Sequence, residues 1–316
     1  VAIRTLQEPS RKAFFEKERI CEERFRRAGQ FWHLYSDGTV MENIFLNDTE
    51  MKAGLSILAA SVQMVKPDIR LVTFALMKTH IDLILCGHRE KCLQLFDIFK
   101  DKMRRIFRKT IRGIDWKRFN AKILSIDSLK ALRNEIIYVH RNPFVANPDQ
   151  TPYGYPWSGG CAYFNPLIYD IGADDIRSFS FDRQRKLTYS RDISPMGGLK
   201  FAGDKVFIPS FCDIGLGEGM FTDARSYFLL LTRNAEAYSQ IATRLEDKIF
   251  LTDDEMFITA VHLAEKAYRT SKITTLSPEQ KIKLAKDLHF KYKASKQQLR
   301  RILRLENTVL DELFPI

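Results

Sequence analysis

Residues 69–87 read "IRLVTFALMKTHIDLILCG", two apolar runs joined almost without a loop. Runs of this kind are strands, and so short a connection makes them a hairpin. The second run carries two polar side chains where apolar ones are expected. His80 and Asp82 are two apart, so on a strand they share a face. Each costs free energy there unless it is hydrogen-bonded, paired or bound to a metal.

The segments around this hairpin set the fold class. Residues 8–29 form a charged amphipathic helix with Phe14, Phe15 and Phe25 for packing, and 30–38 a strand closed by an Asp-Gly turn. Residues 47–65 are a helix capped by Asn47 or Asp48, with Leu55, Leu58, Ala59 and Val62 as its stripe. In 89–112, Cys92, Phe96, Phe99, Met103, Ile106 and Phe107 repeat at three and four, the helical period. A short strand is expected at 121–126. The next helix, 127–144, is capped by Asp127 or Ser128 and stopped by Pro143. This order predicts an α+β protein in which helices cover one face of a small antiparallel sheet.

Beyond 144 the character changes. Residues 145–160 are dense in Pro and Gly and form a turn-rich exit, and 161 to about 245 is the least readable, with strand-like pieces at 178–182 and 205–211 and a helix near 222–246. The "GLGEG" at 215–219 lacks the spacing and the Lys-Ser/Thr of a phosphate loop. Further on, 252–268 and 277–293 are helices, the second capped by Ser277 with Pro278 in its first turn. Ser295 and Gln298 then have capping-box spacing. Two helices across a tight break, the second carrying Gln297, Arg300, Arg301 and Arg304 outward, look like a helix-turn-helix. A plain helical bundle is the alternative. With 316 residues, too many for one small core, the chain divides into 1–165, 166–245 and 246–316.

Charge points to the partner. The net charge is +11, and lysine and arginine that meet phosphates gain affinity by releasing counterions. In the helix 89–112, Lys100, Lys102, Arg104, Arg105, Arg108, Lys109 and Arg112 stand against Asp101. From Lys281 to Arg304 there are nine lysines or arginines, Lys296 among them, and one acid. DNA is the expected partner. No apolar run approaches the ~20 residues of a bilayer span, and the first twenty residues lack the apolar core of a signal peptide. Five cysteines without C-x-x-C spacing fit reduced thiols better than disulfides or a zinc site. A cytoplasmic, nucleoid-associated protein with no membrane partner is expected.

Chemistry concentrates on few residues. The helix at 127–144 presents Tyr138 and, one turn later, Asn142, on one face. If it packs on the sheet, His80, Asp82, Asn142 and Tyr138 converge. Imidazole, carboxylate and amide oxygen suit Mg²⁺ or Mn²⁺ holding a phosphate. A tyrosine beside that metal can attack the phosphorus.

These segments, "MKTHIDLILCG" and "YVHRNPFVANPDQTPYGYPWSGGCAYF", together with "GTVMENIF", resemble the REP-associated tyrosine transposases, members of the HUH single-strand transposases and nucleases. The resemblance covers roughly residues 28–165. It implies a ferredoxin-like antiparallel sheet with helices on one face, and metal-dependent cleavage and rejoining of single-stranded DNA next to a hairpin. Tyr138 matches the family's nucleophile, His80 its first metal-binding histidine and Asn142 its polar ligand. Asp82 departs from the pattern, standing where the family has a second histidine, and "SGG" at 158–160 departs from "SS". Three readings stay open: an active transposase, a DNA-binding protein on the same scaffold that has lost its chemistry, and a basic α+β protein whose His80–Asp82 pair is structural. A homodimer is left open.

Overall fold

In the computed structural model, which describes residues 11–37, 43–108, 114–146, 151, 153–233, 240–242, 244–245, 251 and 253–314, the apolar runs become one four-stranded antiparallel sheet. Its strands are β1 (Phe31–Ser36), β2 (Ile69–Leu76), β3 (Ile81–Gly87) and β4 (Ala121–Ile126), side by side in the order β2-β3-β1-β4. β2 and β3 pair as the expected hairpin, with an irregularity between Leu71 and Thr73. The turn is closed by the Met77 N–H donating to the His80 carbonyl at 2.9 Å. His80 therefore lies in the turn just before β3, whereas the sequence reading placed it within the strand. Gly87 ends β3 at φ 144, and a Cβ there would collide with the Asp68 carbonyl, so glycine is required.

Four helices accompany the sheet: α1 (Arg11–Ala28), α2 (Asp48–Val65), α3 (Arg89–Phe107) and α4 (Leu129–Ala146). α2 and α3 pack on each other and against the strands. Asn47 is the cap of α2, its side chain accepting from the Glu50 N–H at 3.0 Å while the Glu50 carboxylate accepts from Leu46 N–H at 2.8 Å. β1, β2 and β3 are buried at nearly every position, so both faces are covered there, while the edge strand β4 is mostly half-buried or exposed. The expectation of helices on one face only is corrected accordingly. Its physical basis was visible: these strands are apolar on both sets of alternating positions.

Pro143 does not stop α4, which continues to Ala146. A proline removes one helical N–H and crowds the carbonyl four residues back, a cost that can be carried near a helix end. Ser128 caps the start of α4, its hydroxyl accepting from the Ala131 N–H at 3.1 Å.

The chain divides into two units, Val1–Pro143 with Gln150–Phe228 and Phe144–Asp149 with Leu229–Ile316. Residues 166–228, the hardest to read as sequence, thus join the sheet unit. They contain α5 (Phe181–Thr188), a small sheet of β5 (Asp174–Asp175), β6 (Lys200–Ala202) and β7 (Lys205–Val206), α6 (Ile214–Glu218) and the start of α7 (Ala224–Arg233), whose residues past Phe228 belong to the other unit. α5 and β7 both pack on α2, which is why α2 is buried far beyond its expected stripe. "GLGEG" lies in and just after α6, where a Cβ on Gly217 would collide with the Tyr163 hydroxyl; that glycine serves packing.

The other unit holds α8 (Asp253–Tyr268), α9 (Pro278–Tyr292), α10 (Lys296–Leu303) and α11 (Asn307–Leu313), with α8, α9 and α10 in mutual contact. Full capping boxes open both α9 (Ser277 with Gln280) and α10 (Ser295 with Gln298). All five cysteines are free. Among the described residues, no helix is long and apolar enough to cross a membrane.

Candidate functional site

The register of β1 against β3 sets Tyr35 opposite Asp82 and His33 opposite Ile84. Because side chains alternate, His33, Tyr35 and Asp82 share one sheet face. α4 reaches this face with Glu135, Tyr138 and Asn142, spaced i, i+3 and i+7.

Asp82 is the hub. Its Oδ1 lies 3.1 Å from His33 Nε2. Its Oδ2 accepts from Asn142 Nδ2 at 2.8 Å and lies 3.4 Å from His80 Nε2. The other nitrogen of His33, Nδ1, is 2.9 Å from Glu135 Oε2. His33 therefore bridges two carboxylates. Both bonds are satisfied by a doubly protonated ring, or by a neutral ring if one carboxyl keeps its proton. His80 Nδ1 meets the Thr79 hydroxyl at 3.0 Å, which orients its ring toward Asp82.

The cluster is dry. His33 and Tyr138 have no exposed surface, Glu135, Asp82 and Asn142 are buried, and only His80 keeps partial access. Burial is the largest single influence on the Asp82 carboxyl and would push its pKa up. The hydrogen bonds and charges of His33 and His80 together outweigh burial and hold it well below the ordinary carboxylate range. Tyr138 stands edge-on to His33, with ring centroids 6.0 Å apart.

All four residues expected to converge do lie in one neighbourhood, but Asp82 and Asn142 face each other. A hard divalent cation takes oxygen or imidazole donors at ~2.0–2.6 Å. Asn142 offers Asp82 its NH₂, which has no lone pair for a metal, and both Asp82 oxygens are already engaged. As arranged, these residues do not fit Mg²⁺ or Mn²⁺: a cation at Asp82 would have to turn the Asn142 amide and displace existing hydrogen bonds. Among the described residues, no group of three or more His, Cys, Asp or Glu side chains is set to hold a metal ion.

Sequence reasoning missed His33 and Glu135. A signal existed for each. His33 is a polar residue inside a strand, and Glu135 precedes Tyr138 and Asn142 on the same helical face.

A second buried histidine fixes α4. His140 Nε2 is 2.6 Å from the Thr73 hydroxyl on β2, and its Nδ1 is 2.8 Å from the Tyr227 hydroxyl on α7. Burial lowers its pKa to about 3, so it is a neutral linker.

The residues expected to touch DNA fall into two sets. On α3, Lys100 donates to Asn120 at 2.9 Å, Lys102 donates to the Tyr189 carbonyl at 3.4 Å, and Arg104 pairs with Asp101 at 3.1 Å. Arg105 and Arg108 are exposed, whereas Lys109 and Arg112 lie outside the described residues. On α10, Gln297, Arg300, Arg301 and Arg304 are all exposed, while Leu299, Ile302 and Leu303 face inward. Lys296 pairs with Asp311 at 2.7 Å.

Comparison with protein-family models, curated proteins and solved structures finds no match.

Proposed function

We propose that this chain is a DNA-binding protein on a transposase-like scaffold, directed at single-stranded or hairpin DNA, in which the metal position has become an internal hydrogen-bond network. The observation that carries this reading is the commitment of both Asp82 oxygens to His33 and Asn142 inside a buried cluster. A nucleophilic tyrosine must reach a phosphodiester, and Tyr138 is fully buried.

The scaffold part of the reading is supported by topology. Strand, helix, strand, strand, helix, strand, with spatial order β4-β1-β3-β2, is consistent with the ferredoxin-like arrangement that the sequence resemblance implies. The DNA part is supported by α10. It follows α9 after a three-residue break and, with its C-cap Arg304, exposes Gln297, Arg300, Arg301 and Arg304 at i, i+3, i+4 and i+7, a spacing consistent with the helix-turn-helix reading.

The test is fluorescence anisotropy with a hairpin-bearing oligonucleotide across a salt series, with and without Mn²⁺. The reading expects binding that weakens steeply with salt, that loses about ten-fold or more in Arg300→Glu/Arg301→Glu, and that ignores the metal. Metal-dependent binding would count against it.

One observation favours the active transposase reading instead: Tyr138, His80, Asp82 and Asn142 share a neighbourhood although 62 residues separate the first and last in sequence. Under it, the Tyr138 oxygen would replace one DNA ester oxygen on the phosphorus, forming a phosphotyrosine link and releasing the other strand end as a hydroxyl, and rearranged Asp82 and Asn142 would hold a Mg²⁺ or Mn²⁺ that offsets charge on the phosphate. A covalent protein–DNA adduct would distinguish the two.

A further inference from the structure

A cleft of about 1080 Å³ opens between α3 and α5. Five basic residues line it, Lys102 and Arg105 from α3, and Arg185, Lys186 and Arg191 from α5 and the loop after it. The second wall comes from the part of the chain whose sequence was hardest to read. Acids are present too: Asp101, Asp182 and Asp192. Asp101 is paired with Arg104, and Asp192 accepts from both the N–H and the hydroxyl of Ser194. The balance is five bases to three acids, two of them already engaged.

The floor is different. Met64, Ile98 and Ile106 provide apolar surface, and the Tyr189 ring is half-buried at the edge. Tyr189 ends α5 in the left-handed conformation, φ 49, and its carbonyl accepts from Lys102, tying the two walls together at the base. The arginine side chains of α5 are held on aromatic rings: Arg183 lies 4.1 Å from the Phe179 centroid and Arg185 5.6 Å from that of Phe181. Phe181 is itself exposed.

We infer that this cleft is a binding site for a single-stranded DNA segment, whose phosphates meet Arg105, Arg185, Lys186 and Arg191 while its bases lie on the apolar floor and Tyr189. A duplex keeps its bases stacked on each other and gains nothing from an apolar floor; a single strand offers its base faces to it. Burial, with Arg105 nearby, lowers the Lys102 pKa, and an arriving phosphate offsets that penalty. The inference rests on the DNA-binding reading above and adds to it a second contact surface, independent of α10.

The experiment uses the full chain and a fluorescein-labelled oligo(dT) of about twelve nucleotides, within the site sizes of single-strand binders. Arg185→Glu/Arg191→Glu is expected to weaken binding about ten-fold or more and to flatten the dependence of log K on log salt by ~1.4, two phosphate contacts at ~0.7 each. Both side chains are exposed, so the thermal melt should be unchanged; if it is not, Arg185→Gln/Arg191→Gln replaces the reversal and should weaken binding in the same direction. With bromodeoxyuridine in the strand, photocrosslinks should map to residues 182–192. Wild-type binding with unchanged affinity in both variants, crosslinks found only elsewhere, or an effect seen only with duplex DNA would each overturn the cleft while leaving the DNA-binding reading standing. No wild-type binding to either the oligo(dT) or the hairpin would overturn the reading itself.

Discussion

Asn142 on α4 donates its side-chain N–H to Asp82 on β3 at 2.8 Å, joining helix and sheet across 60 residues of sequence. This bond turns the amide oxygen away from the one carboxylate that stands where the resemblance calls for a histidine. Asp82 stands as the shared acceptor at the centre of a hydrogen-bond network.

Asp82→Ala should be severely destabilising. It leaves His33, Asn142 and His80 without their shared acceptor in a buried cluster, and breaking such a pair costs roughly 3–5 kcal/mol. Urea unfolding should show the midpoint falling accordingly, with a smaller loss for Asp82→Asn, which keeps one acceptor oxygen.

Acid should destabilise the protein over two overlapping pH windows. His140 has a folded pKa of about 3, below its ordinary ~6.5, so between these values the unfolded chain binds a proton that the folded one does not. Stability is then full above about pH 6.5 and falls by up to ~1.4 kcal/mol per pH unit as pH drops toward 3. Asp82, whose folded pKa is lowered, adds a contribution present above ~3.9 and lost below it. Stability measured from pH 7 to 4 should fall in the native chain and stay flatter in His140→Gln; parallel curves would remove His140 from the account.

Arg304 caps the C-terminal end of α10 at φ 53, in the left-handed region where a side chain costs roughly 1–2 kcal/mol. Arg304→Gly should raise thermal stability by about 1 kcal/mol and at the same time weaken hairpin binding. A loss of stability would show that the arginine side chain, not its backbone, supports this helix end.

The parts of the fold legible in the sequence are those decided locally. Ser277 with Pro278, and Ser295 with Gln298, mark helix starts within four residues, and Tyr138 with Asn142 marks a face within five. The hairpin at 69–87 follows from its missing loop. His33 and Glu135 each carried a local signal, but what joins them depends on the β1–β3 register and on where α4 lands, neither of which a local pattern encodes. Pro143 misled because a proline in a late turn can be tolerated. Residues 166–228 were hardest to read because short 3-10 turns, strands of two or three residues and helices of five and eight residues leave too little period to detect.

The central claim, DNA binding without strand chemistry, is tested most directly by incubating the protein with a hairpin-bearing oligonucleotide and Mg²⁺ or Mn²⁺, then resolving the products under denaturing conditions. The account predicts no covalent adduct, together with hairpin affinity that Tyr138→Phe leaves unchanged. An adduct that survives denaturation and disappears in Tyr138→Phe would contradict it and establish Tyr138 as a nucleophile.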